Sequence, residues 1–184
     1  MREELNQYFE RLIQHIPSYV FIALLLMFFL GVIWLLYKKK SPWRYIFILA
    51  FVEYIVLLFC STVIFRDVKA VRKLKYVPFW SYGQPDLLIV NLMNIIVFVP
   101  IGLLLGFANN KLKWWHVLLI GTAISMSIEL LQLAFKRGFF EFDDLIHNVL
   151  GCLIGYGVYV LFCAFNIKYQ KKRGEVSEEF SNNS

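Results

Sequence analysis

The acidic side chains in the apolar second half of the chain are the residues best suited to chemistry. Glu129 lies inside a long apolar run, where an acid costs about 2.5–3.5 kcal/mol on membrane-insertion scales. A loop or interfacial turn predicted over residues 138–147 contributes Glu141, Asp143, Asp144 and His147. Together these groups could bind a divalent cation through oxygen atoms, or supply a buried general acid or base.

The same residues have a simpler interpretation. Their spacing matches no zinc signature such as H-E-x-x-H, and Ser125 and Ser127 have no adjacent base that would activate them as nucleophiles. The acids could instead pair with Lys136 and Arg137 and close the mouth of a helix bundle, as intramembrane charges commonly do. Structural or binding roles are therefore favoured over catalysis, and we assign no metal and no cofactor.

The composition indicates a polytopic membrane protein. Of the 184 residues, 59% are hydrophobic and 17% are charged, whereas about a quarter are charged in soluble domains. The net charge of +6 comes from basic residues at the ends of apolar runs, which favours contact with lipid headgroups and argues against nucleic acid as a partner. Cys60, Cys152 and Cys163 lie within apolar runs and imply no disulfide framework.

The apolar runs predict an all-α bundle of about five transmembrane helices, because each run is about long enough to cross roughly 30 Å of hydrocarbon. The bundle occupies residues 18–166, with predicted spans 18–37, 43–65, 87–108, 114–135 and 148–165. Residues 1–17 predict an amphipathic helix in the interface, although a short soluble helix fits equally well. Residues 167–184 predict a flexible polar tail.

Two further features are expected to shape the bundle. Pro100 and Gly102 interrupt the middle of the third span, and Gly151 and Gly155 form a G-x-x-x-G pattern suited to close helix packing. Glu53 lies in the middle of the second span, where it could be functional or simply hydrogen-bonded to a neighbouring helix.

Antiparallel spans bring most of the remaining polar residues to one side of the membrane. The third span starts, the fourth ends and the fifth starts on the same face, beside the basic and aromatic loop 66–85, which could engage an anionic lipid phosphate or be an ordinary interfacial loop. We therefore predict one polar pocket open to one leaflet. Its candidate ligand-binding residues are Asn91, Asn94, Glu129, Gln132, Arg137, Glu141, Asp144 and Asn148.

The orientation of this pocket follows from the distribution of Lys and Arg. The loops 38–44 and 109–113 together with the tail hold ten of the nineteen basic residues, and the opposite face holds nine. The lysine cluster 38–40 and the basic start of the tail favour an N-terminus outside, a C-terminus inside and an outward-facing pocket.

These motifs, in this order, resemble the VanZ-like family over residues 86–159. The residues that carry the resemblance are Asn91-x-x-Asn94-x-x-x-Phe98-x-Pro100-x-Gly102, then Glu129-x-x-Gln132, then Arg137, then Asp144-Leu-Ile-x-Asn148-x-x-Gly151-x-x-x-Gly155. One position departs from the pattern, since the family often has Asp where this chain has Glu141. The resemblance implies a multi-pass protein of the Gram-positive cell membrane, of the kind whose namesake confers low-level resistance to teicoplanin and related lipoglycopeptides without altering the peptidoglycan precursor terminus.

Two hypotheses of function follow. In the first, the protein is not an enzyme and its pocket binds a lipid-anchored ligand, which could be a lipoglycopeptide antibiotic or an isoprenoid-linked envelope precursor, with membrane lipids as its other partners. In the second, it is an intramembrane enzyme that acts on a lipid-linked cell-envelope precursor, with Glu129 or Asp144 as acid and base. A transporter is less favoured, because the chain shows no internal repeat.

Overall fold

A computed structural model describes residues 17–37, 42–68, 74–75 and 77–182. The interfacial helix predicted over residues 1–17 lies, apart from Pro17, outside these residues, as does the lysine cluster 38–40.

The described part of the chain is built from five α-helices. They are α1 (Ser18–Tyr37), α2 (Pro42–Phe59), α3 (Pro85–Ala108), α4 (Trp114–Ala134) and α5 (Phe142–Asn182). A π-helix, Cys60–Ile64, continues α2, and a 3-10 helix, Trp80–Gly83, precedes α3. Two short strands, β1 (Leu74–Lys75) and β2 (Phe140–Glu141), form a parallel pair in which Leu74 faces Phe140 and Lys75 faces Glu141.

Among the described residues, four helical segments are long and apolar enough to cross a membrane. They are Trp43–Ile64, Leu87–Ala108, Trp114–Ala134 and Phe142–Lys171. In α1 the apolar stretch is shorter, Ile22–Trp34. The predicted fold class, an all-α membrane helix bundle, is confirmed, and the fifth crossing by α1 stays a prediction.

The last helix has different bounds from the predicted fifth span. It begins at Phe142 rather than at residue 148. The prediction of a loop over residues 138–147 is therefore wrong for residues 142–147, which are helical. Asp143 and Asp144 lie in the first turn of α5, where carboxylates interact favourably with the positive end of the helix dipole. At the other end, α5 continues past residue 165 to Asn182, through most of the segment predicted as a flexible tail.

Helices α3 and α5 form the most extensive helix pair, and their contact is made by glycines. A Cβ atom on Gly151 would collide with the carbonyl oxygen of Ile95, and one on Gly155 with that of Val99. From the opposite side, a Cβ on Gly102 would collide with the backbone of Cys152. The absence of side chains therefore lets the two backbones touch. This contact strengthens the van der Waals attraction between the helices, which matters because the hydrophobic effect does not drive helices together in lipid. We call Gly102, Gly151 and Gly155 the glycine seam.

Pro100 lies inside α3 without ending the helix. In the turn before it, the Tyr54 hydroxyl of α2 donates a hydrogen bond of 2.6 Å to the carbonyl oxygen of Val97. Around this level lies the apolar core, formed by Leu58, Val63, Phe98, Ile101, Leu105, Val117, Ile128 and Cys152. The outer faces of the helices expose large apolar side chains, as expected of surfaces that contact lipid.

Candidate functional site

The buried polar side chains gather where α3 begins, α4 ends and α5 begins. We call this region the polar end. Among the described residues, its buried polar members are Ser81, Asn91, Ser125, Glu129, Gln132, Asp143, His147 and Asn148. Glu129 is 2% exposed and Asp143 is fully buried, so their polar atoms depend on the protein for partners.

The polar face of α4 carries Ser125, Glu129 and Gln132, and all three side chains are buried. The backbone N–H of Glu141 donates a hydrogen bond of 3.0 Å to Glu129 Oε2. Asp144 and Arg66 are both near enough to interact electrostatically with the Glu129 carboxylate. Glu141, Asp144 and Arg66 are therefore neighbours of Glu129.

Asn94 and Asp144 connect α3 to α5. Asn94 Nδ2 donates a hydrogen bond of 2.8 Å to Asp144 Oδ1. One turn further along α5, Asn148 Nδ2 donates to Ser125 Oγ on α4 at 2.9 Å. These two bonds hold the amide-bearing and acidic faces of the three helices together.

Gln132 and Arg137 bind the end of α2 rather than the acids. Gln132 Nε2 donates a hydrogen bond of 3.2 Å to the carbonyl oxygen of Thr62, which lies in the π-helix. Arg137 donates from Nη1 to the carbonyl oxygen of Arg66, just past the end of the same π-helix. A π-helix often marks a functional site, because its wider turn redirects backbone groups. Here it provides the carbonyl that orients Gln132.

Asp143, at the start of α5, accepts hydrogen bonds from the aromatic segment 77–83. Its Oδ1 accepts a hydrogen bond of 2.5 Å from the backbone N–H of Phe79. Its Oδ2 accepts from the backbone N–H of Ser81 at 3.0 Å and from Ser81 Oγ at 2.5 Å. Asn91 completes the network, since its Nδ2 donates to Ser81 Oγ at 2.9 Å. Phe79 has the left-handed φ of 60°, which is uncommon for a bulky non-glycine residue.

His147 and Lys75 hold the same segment from two other sides. His147 Nδ1 lies 2.6 Å from the carbonyl oxygen of Asp143, and its Nε2 lies 3.0 Å from the Tyr82 hydroxyl. Since a carbonyl only accepts, Nδ1 carries a proton. Lys75 Nζ lies 3.2 Å from Glu141 Oε1 and 3.5 Å from the centre of the Trp80 ring, which joins an ion pair to a cation–π contact.

The sequence identified most of these acids and amides but not their partners. Asn94, Glu129, Asp144 and Asn148 lie together, whereas Asn91 belongs to the Asp143 network and Gln132 and Arg137 face the end of α2. Ser81 and Tyr82 were missed as individual residues. The only signal for them was their place in the aromatic loop, because partners distant in sequence cannot be paired from spacing alone.

The polar end offers oxygen atoms rather than a conventional metal centre. In the part of the chain that the structure describes, no group of three or more His, Cys, Asp or Glu side chains is placed to hold a metal ion. The buried carboxylates and amides instead form a hydrogen-bonded cluster that can accept protons or donor groups from a ligand.

The crossing-capable helices and the buried polar end define a multi-pass membrane helix bundle. Residues 45–163 match the VanZ/LLP1 family, and the chain belongs to this family, as the sequence motifs predicted. It is 29% identical over 90 residues to Protein VanZ of Enterococcus faecium, a match that covers 49% of this chain and 54% of the relative. The chain thus spans about half the length of that curated relative, and no solved structure matches it. It is a multi-pass protein of the bacterial cell membrane.

Proposed function

We propose that this VanZ/LLP1-family protein gives low-level protection against teicoplanin and related lipoglycopeptides by binding a lipid-anchored ligand at its polar end. The ligand is either the lipoglycopeptide itself or an isoprenoid-linked envelope precursor. Both are amphiphiles, with an apolar anchor that suits the lipid-facing helices and a polar head that suits a hydrogen-bonding cluster at one end of the bundle.

One observation carries this proposal. Buried hydrogen-bonding side chains from α3, α4 and α5 converge at one end of the bundle, beside the cation–π contact of Lys75 with Trp80. Polar groups inside a membrane are costly, so such a concentration favours a binding role over helix packing alone. The glycine seam already packs α3 against α5 without them.

Antibiotic susceptibility of a sensitive Gram-positive host tests the proposal. We expect wild-type protein to raise the inhibitory concentration of teicoplanin several-fold and that of vancomycin less. We expect Glu129→Gln and Asp144→Asn to lose this protection, because each replaces a carboxyl oxygen by an amide NH₂ and changes the hydrogen bonds that the polar end offers to a ligand head group. Glu53→Gln is the matched control, since it changes a carboxyl within α2, and should protect like wild type. All proteins must be compared at equal amounts in the membrane.

Two results would contradict this function. Absence of protection by the wild-type protein would rule out the resistance role for this family member. Full protection by both Glu129→Gln and Asp144→Asn would show that the polar end is structural and that the ligand binds elsewhere.

An intramembrane enzyme is the second candidate, and the electrostatic coupling of Glu129 with Asp144 favours it. Two neighbouring buried carboxyl groups can share the roles of general acid and base on a lipid-linked envelope precursor. This function predicts that the lipid-linked precursor profile, measured by mass spectrometry of membrane extracts, changes on expression of wild-type protein but not of Glu129→Gln. An identical profile with and without wild-type protein would eliminate it.

A further inference from the structure

Asn148 is a buried side chain with an unsatisfied acceptor. It is 4% exposed, and its Nδ2 is used by the bond to Ser125 Oγ. Within the described chain, its Oδ1 has no hydrogen-bond partner. A buried carbonyl oxygen without a donor is rare in native proteins and calls for an explanation, of which a bound ion is one.

Helix spacing brings the Asn148 side chain close to the two carboxyl groups of the polar end. Asn148 follows Asp144 by one turn of α5, and its partner Ser125 precedes Glu129 by one turn of α4. The bond from Glu141 engages only Oε2 of Glu129, and the bond from Asn94 engages only Oδ1 of Asp144. Each carboxylate therefore keeps one oxygen outside these two bonds.

The charges of the polar end do not balance among the described residues. The carboxyl groups that interact with one another outnumber the cationic side chains near them. The carboxyl groups are those of Glu129, Glu141, Asp143 and Asp144, and the cationic side chains are Arg66 and Lys75. Lys75 pairs with Glu141, and three hydrogen-bond donors stabilise Asp143. Glu129 and Asp144 both interact with Arg66, and Asp144 also interacts with Lys75, so among the described residues two buried carboxyl groups share a small number of cationic neighbours.

We propose that Glu129 Oε1, Asp144 Oδ2 and Asn148 Oδ1 bind one small monovalent inorganic cation, such as Na⁺. A proton would neutralise one carboxylate but would reach only a single acceptor, whereas a cation contacts several oxygens at once. The cation supplies positive charge to the two carboxyl groups and a partner for Asn148 Oδ1. The site shares Glu129 and Asp144 with the proposed ligand-binding end, but its existence does not require the resistance function.

The thermal stability of the purified protein in detergent tests this site. The midpoint of unfolding, Tm, is measured in choline chloride and then with NaCl, KCl or MgCl₂ replacing it at constant ionic strength. We expect Na⁺ or K⁺ to raise Tm saturably, by about 5–10 °C at a hundred-fold excess over its dissociation constant. Glu129→Gln, Asp144→Asn and Asn148→Ala should lose most of this rise, and Asn110→Ala, in the exposed turn between α3 and α4, should keep it.

The shift is measured within each variant, so a variant of lower basal Tm still reports on the site. Equal Tm of wild-type protein in choline, Na⁺ and K⁺ would overturn the proposal without reference to any variant. Stabilisation by Mg²⁺ alone, or an equal Na⁺ shift in Asn148→Ala, would also overturn it. Because no antibiotic or host cell is used, this outcome is separate from that of the susceptibility assay.

Discussion

The glycine seam and the polar end hold the same two helices together by opposite means. At the seam, α3 and α5 touch through backbone atoms, with Gly102, Gly151 and Gly155 leaving no room for a side chain. At the polar end, the same helices are joined by a side-chain bond between Asn94 and Asp144, with α4 attached through Ser125 and Asn148.

The difference between the two regions determines how each responds to substitution. The seam depends on shape, and an added methyl group meets backbone atoms that cannot move away cheaply. The polar end depends on separate hydrogen bonds, each worth about 1 kcal/mol between membrane helices. We therefore expect a single substitution in the seam to lower the stability of the fold strongly, and each substitution at the polar end to lower it by a small amount.

The largest effect is expected from Gly155→Val. Its Cβ would collide with the Val99 carbonyl, so we expect a loss of more than about 3 kcal/mol in the free energy of unfolding and a poor yield of folded protein. Gly157→Val is the matched control on the same helix, because a Cβ there meets nothing within 4 Å. The measurement is SDS titration in mixed micelles together with size-exclusion profiles. Similar behaviour of the two variants would refute the steric role of the seam.

The next effect is expected from Asp143→Ala, which removes the acceptor of three hydrogen bonds from segment 77–83. We expect a loss of about 2–3 kcal/mol in unfolding free energy, because buried donors are left without a partner. Limited proteolysis should also cut segment 77–83 faster. Asp143→Asn keeps one acceptor oxygen and should fall between Ala and wild type. Unchanged proteolysis in Asp143→Ala would show that other contacts hold the segment.

A smaller effect is expected from Asn94→Ala, which removes the bond to Asp144 but leaves the glycine seam intact. We expect a loss of about 1 kcal/mol in unfolding free energy, measured by the same SDS titration. Asn110→Ala, in the exposed turn between α3 and α4, serves as a control and should match wild type. A loss as large as that of Gly155→Val would abolish the distinction between the two regions.

The smallest effect is expected from Tyr82→Phe. It removes the hydrogen bond to His147 but keeps the ring stacked on the imidazole, and Tyr82 is 53% exposed. We expect a loss of about 0.5 kcal/mol, at the low end for a single hydrogen bond. Tyr82→Ala, which also removes the stacked ring, should cost more. If Phe and Ala were equivalent, the ring contact would contribute nothing.

Much of the fold follows from the sequence because lipid is a simple solvent. Long apolar runs must become helices there, since every backbone N–H and C=O needs a partner within the helix. The G-x-x-x-G pattern at Gly151 and Gly155 likewise indicates a close helix contact from spacing alone. The start of α5 was missed because Asp143, Asp144 and His147 made its first turns look like a polar loop.

The sequence by itself therefore determined the bundle, the family and the side of the bundle where the polar residues gather. Only the tertiary structure decided which residues form hydrogen bonds with one another. Asp143 belongs with Ser81, Glu129 with the backbone of Glu141, and Gln132 with the carbonyl of Thr62. The physical reason is that spacing along a helix fixes the face a side chain occupies, whereas its partner depends on how separate helices dock and on a short loop folded between them.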